Sequence, residues 1–133
     1  MRTIIDNNGQ ELATILKAAD YLQCTDKRFY SAPDDVLQVG SLFFPPGSTV
    51  APHRHKHKDV TSAPMEVLLV LCGGPTASIY DDNGCLVEAV ALVTGDILIQ
   101  KRGGHGFSFP HKTVLLEVKR GPYSGKEADK EPL

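Results

Sequence analysis

From residue 36 to residue 119 the chain alternates short apolar runs with turn residues, and that rhythm confines it to folds built from many short strands. The run 36–44 is stopped by Pro45-Pro46-Gly47, and 76–80 and 85–92 flank Asp81-Asp82-Asn83-Gly84, the chemistry of a tight hairpin turn. Thr94-Gly95-Asp96 marks the next corner, and the runs 97–100, 105–109 and 113–119 complete the series. Runs this short, separated by Gly, Pro and Asp, predict a sandwich or barrel rather than an alternating α/β fold. Near the N-terminus, Asn7-Asn8-Gly9 between two apolar runs predicts a β-hairpin over residues 3–16. The competing reading is a helix over 10–21, because Leu12, Ile15, Leu16 and Ala19 also fall at helical spacing.

One strand-like stretch carries unusual chemistry. His53, His55 and His57 stand at alternate positions, so in an extended chain they share one face while Arg54, Lys56 and Lys58 share the other. Same-face neighbours lie roughly 6.5 to 7 Å apart, a gap two imidazoles can close onto one ion with metal–nitrogen bonds of about 2 Å. His53 and His57 would be about 13 Å apart, so an ion should take one adjacent pair, and spacing alone does not choose which. Glu66 then opens the apolar run Glu66-Val-Leu-Leu-Val-Leu-Cys72. A carboxylate there either caps a strand at the surface or serves something buried, and the histidines upstream favour the second. A basic loop can equally be a solvated or anion-binding face, so a metal site needs a ligand from elsewhere. His105, following a strand and the Gly103-Gly104 turn, supplies it.

These residues resemble the two motifs of the cupin superfamily. Gly47, His53, His55, Glu66 and Gly73 match the first, with ten residues between His55 and Glu66 where three or four are usual. Gly95, Gly103 and His105 match the second, with Lys101 where a proline belongs and the histidine one residue early. Ala32-Pro-Asp-Asp35, the run 103–107 and the ending 117–123 are similar to small single-domain cupins often encoded near genes of sugar or surface-polysaccharide metabolism. The resemblance implies an all-β double-stranded β-helix preceded by the N-terminal hairpin. It also implies one divalent transition metal (zinc, nickel, manganese or iron) on His53, His55, Glu66 and His105, with His57 as an alternate ligand, and a small-molecule ligand in the barrel. A homodimer is expected, both from this likeness and because open sheets leave edges that a twofold partner covers.

At 133 residues the chain is expected to form a single domain, with its core at about 36–120 and the charged segment 124–133 as a flexible tail. A net charge of −2 spread over mixed charges gives no reason to expect nucleic acid. Three scattered cysteines, no leader-like segment and no long apolar run predict a cytoplasmic chain with reduced thiols and no membrane association. The glycine pairs at 73–74 and 103–104 read as turns, since no phosphate-loop helix follows. Ser31, Ser41 and Ser108 lack a nucleophile signature, and Cys72, read as buried packing, is expected to be inert. The candidate catalytic groups are Lys101, Glu117 and Tyr80, with Arg102 and Tyr123 as further polar groups near the mouth. Glu117, between Leu116 and Val118, would face either inward as a base or outward into solvent. A metal-dependent enzyme acting on a small polar molecule, a sugar derivative being one candidate, and a non-catalytic binding module are both compatible with this site.

Overall fold

The computed structural model describes residues 1–56, 65–122, 125 and 129–133. The N-terminal segment is a hairpin of β1 (Arg2–Ile5) and β2 (Glu11–Ile15), with Arg2 opposite Ile15. The Asp6 carboxylate accepts hydrogen bonds from the amides of Asn8 and Gln10, both at 2.8 Å, so the turn chemistry prevails over the helical spacing. The helical reading survives only as α1 (Ala18–Tyr21). The turn at 81–84 repeats the device, with Asp81 Oδ1 accepting from the amides of Asn83 and Cys85.

Ten further strands form two antiparallel sheets. One runs β12 (Lys130–Pro132), β5 (Ser48–His55), β10 (Gly104–Phe109), β7 (Thr76–Tyr80) and β8 (Leu86–Ala91). The other runs β3 (Arg28–Phe29), β4 (Leu37–Phe44), β11 (Thr113–Arg120), β6 (Glu66–Cys72) and β9 (Ile97–Gln100). Alternation decides what faces inward: Glu66, Leu68 and Val70 on β6, and Leu115, Glu117 and Lys119 on β11, are all buried. At one end of the interior the core is apolar, with Phe44 and Phe109 stacked at 3.9 Å between ring centroids. Fully burying a side chain of this kind contributes about 1.5–3 kcal/mol.

Residues 129–133, the described end of the segment expected to be a flexible tail, correct that expectation for their part. Lys130, Glu131 and Pro132 pair with His55, Arg54 and His53 as an edge strand. The segment has no apolar periodicity because ion pairs hold it: Asp129 Oδ2 accepts from Lys119 Nζ at 2.8 Å, and Glu131 pairs with Arg54. Cys72 is exposed rather than buried, at the end of β6 where the strand leaves the interior, and all three cysteines are free. Among the described residues no helix is long and apolar enough to cross a membrane.

Candidate metal centre

Opposite the aromatic end, the two sheets face each other across a cluster of titratable side chains. One sheet supplies the histidines. His53 and His55 come from alternate positions of β5, and His105 sits directly across the ladder from His53. Close approach of β10 to its neighbours depends on the glycine pair before His105: Gly103 has φ +69°, and a Cβ there would lie 2.2 Å from the Tyr80 carbonyl oxygen. A Cβ on Gly104 would lie 2.6 Å from the carbonyl oxygen of His53, so any side chain there would force β10 off β5. The result is three imidazoles, each offering a nitrogen within 4.8 Å of the other two.

The facing sheet supplies the carboxylate. Glu66, 2% exposed, holds Oε1 3.4 Å from His55 Nε2 and Oε2 3.3 Å from His105 Nε2. His55 Nε2, Glu66 Oε2 and His105 Nδ1 are buried and find no hydrogen-bond partner among the described residues. Unpartnered buried polar atoms of this kind are costly, and a shared cation would satisfy those that face one another. The donor set, imidazole nitrogen with one carboxylate, is that of a divalent transition metal. His57, the alternate ligand, lies outside the described residues, as does Tyr123.

Hydrogen bonding fixes which ring nitrogens are available. His53 Nδ1 lies 3.0 Å from the Ala51 carbonyl, which can only accept, so Nδ1 carries the proton and Nε2 keeps its lone pair. That lone pair accepts from Lys130 Nζ at 3.2 Å. His55 Nδ1 faces Asp129 Oδ2 at 3.4 Å, the outer-sphere carboxylate that commonly orients a ligating histidine. Sequence reasoning missed Asp129 and Lys130 because they belong to the segment read as a tail.

Burial, then the charge of Lys130, lowers the pKa of His53 to about 4, and burial lowers that of His105 to about 3, so both are neutral near pH 7. Burial works against protonation of His55, but Asp129 and Glu66 outweigh it and raise its pKa. Glu117, 3% exposed, faces inward beside Glu66. Burial and then Glu66 push its carboxyl up to about 8, so Glu117 holds a proton while Glu66 stays ionised. For Glu66 burial favours the neutral acid, and His55, Glu117 and His105 together overcome it.

Two connected spaces lead to the cluster. An inner recess of about 40 Å³ is lined by His53, Glu66, His105, Glu117, Lys27 and Lys130, with Phe and Leu side chains behind them. An outer cavity of about 500 Å³ shares Lys27, Val50, His53 and Lys130 with it. Lys101, Arg102 and Tyr80 line neither; Lys101 is exposed, and Arg102 is paired with Asp82.

No protein-family model matches the chain, and no curated protein matches it. Solved structures do. A double-stranded β-helix protein from Klebsiella pneumoniae superposes with TM-score 0.61 at 19% identity, over 91% of this chain and 97% of that one. A variant of oxalate decarboxylase from Bacillus subtilis gives TM-score 0.63 at 18% identity over 80% of this chain. The match takes in only 28% of the decarboxylase's length. A cupin superfamily protein from Desulfitobacterium hafniense gives 0.54 at 16% identity, over 72% of this chain and 78% of that one. The chain therefore has the double-stranded β-helix fold of the cupins.

Proposed function

We propose that the chain is a metal-dependent enzyme acting on a small polar molecule, with one divalent transition metal held by His53, His55, His105 and Glu66. The observation that carries this is the meeting of three imidazole nitrogens within 4.8 Å beneath a buried carboxylate whose Oε2 has no hydrogen-bond partner among the described residues. Zinc, nickel, manganese or iron(II) would suit the set, and when bound would polarise a carbonyl or hydroxyl oxygen, activate water or, for iron, supply redox chemistry.

The chain's own groups do the rest. Glu117 presents a proton at its carboxyl beside Glu66, the position of a general acid, and Phe107, Leu68 and Leu115 give the recess apolar walls. A protonated acid beside the centre favours turnover over mere binding, since it could donate a proton in isomerase or lyase chemistry. Oxalate decarboxylase, which shares the fold, is named for a lyase reaction. A sugar derivative is one such small polar molecule, and the outer cavity of about 500 Å³ has room for it, which would place the reaction in carbohydrate metabolism. Exposed Leu86, Val87, Ile97 and Ile99 on the edge strands β8 and β9 support a homodimer, which light scattering at micromolar concentration checks.

Elemental analysis of tag-free protein reconstituted with each of the four metals tests the reading: about one ion per chain is expected, and His55→Ala should lower affinity far more than His57→Ala. Equal losses in the two variants would contradict the ligand set.

A further inference from the structure

Two lysines from distant parts of the chain converge on the passage between the outer cavity and the inner recess. Lys27 precedes β3, and Lys130 lies on β12; both line both spaces, together with His53. Lys27 is steadied over the Phe44 ring at 5.5 Å from its centroid, and Lys130 Nζ is directed at His53 Nε2. Among the described residues neither lysine forms an ion pair: Asp129 is paired with Lys119, and Glu131, at the outer rim, with Arg54.

A count of charge shows what such a passage favours. Around the recess, among the described residues, Glu66, Glu117 and Asp129 face Lys27, Lys119 and Lys130. Even with all six ionised the charges only cancel, so a divalent ion would leave at least two positive charges uncompensated around the recess. An anionic ligand reduces that imbalance, and a neutral one leaves it whole.

Size and sign narrow the ligand further. The inner recess, about 40 Å³, has room for only a few waters, each needing about 10–15 Å³. Only a small group can reach the histidines, while the outer cavity of about 500 Å³ lies in the range of small-ligand sites. A phosphate would set four tetrahedral oxygens beside Glu66, where two ammoniums stand to receive them. A carboxylate carries one charge and two oxygens, enough for two ammoniums.

We propose that the substrate is a small carboxylate, its carboxyl group held by Lys130 and Lys27 at the neck between the two cavities and the remainder of the molecule directed at the histidines. This rests on the metal-centre reading given above. On occupation of the centre, the Lys130 ammonium gives up His53 Nε2 and turns to the incoming carboxylate. Lys130 is thus a binding and specificity residue contributed by the C-terminal strand.

The test uses the full, tag-free chain loaded with zinc, with zinc content measured separately, and calorimetric titration with glycolate, its neutral amide glycolamide, and inorganic phosphate. Glycolate should bind about tenfold to a hundredfold more tightly than glycolamide and more tightly than phosphate. Lys130→Gln should lose that discrimination at unchanged zinc content, and Lys130→Arg should retain most of it. Equal binding of glycolate and glycolamide by wild type, preference for phosphate, or undiminished discrimination in Lys130→Gln would each overturn the carboxylate subsite alone. A wild-type chain that takes up no zinc would instead overturn the metal centre, and the subsite with it.

Discussion

Lys130 Nζ and His53 Nε2 stand 3.2 Å apart although 77 residues separate them in sequence. An ammonium thus occupies the one nitrogen of His53 that can coordinate an ion. Replacing it removes a competitor, so Lys130→Met should bind zinc somewhat more tightly than wild type at pH 7.5. Competition against a chromogenic chelator measures this, and weaker binding would mean that the ammonium supports the site rather than competes for it.

Asp129 couples the same strand to the interior through Lys119 and His55. Asp129→Ala leaves the 5% exposed Lys119 ammonium without its 2.8 Å partner, with Glu117 at 3.9 Å a poor substitute. Breaking a buried pair in this way costs about 3–5 kcal/mol, and chemical denaturation should show a loss of that order. Loss of the carboxylate beside His55 Nδ1 should also weaken metal binding by about tenfold to a hundredfold. A loss within 0.5 kcal/mol, the usual range for a surface substitution, would show that the segment is not docked in solution.

The way these residues entered the site explains what could be read from the sequence. Most strands were legible because Gly, Pro or Asp turns stand between the apolar runs, and His53, His55 and Glu66 were legible because strand alternation and motif spacing are local properties. The inward orientation of Glu117 was not, since its neighbours Leu116 and Val118 fit either face until the register with Leu68 and Gly40 is known. Asp129 and Lys130 were illegible for a different reason. Their docking depends on single charged partners, Lys119 and His53, far away in the chain, and polar pairing leaves no periodicity.

The proton on Glu117 should be visible in the pH dependence of the chelated protein. His53 and His105, folded pKa about 4 and about 3 against 6.5 unfolded, contribute stability that is complete above pH 6.5 and lost as pH falls. His55 and Glu117, both raised, contribute the opposite: stability complete below their unfolded values and lost as pH rises, for Glu117 through about 8. Between about pH 4.5 and 6.5 His55 is already saturated and Glu117 alone opposes His53 and His105, so stability should fall gently as pH drops. Below 4.5 the lowered Glu66 joins the first set while the second is saturated, and stability should fall steeply. Glu117→Gln removes that one opposing group, so its decline between pH 6.5 and 4.5 should be about twice as steep. Parallel curves for the two proteins would mean that Glu117 is ionised at neutral pH.

The metal centre itself is tested most directly by melting curves of wild type and the Glu66→Ala/His105→Ala double variant, each with excess zinc and with chelator, at pH 7.5. A ligand at a hundredfold excess over its dissociation constant stabilises the native state by about 2.7 kcal/mol. Zinc should therefore raise the wild-type melting temperature by several degrees and leave the double variant unmoved. If wild type melts at the same temperature with zinc and with chelator, and the double variant does the same, His53, His55, His105 and Glu66 do not form a metal site.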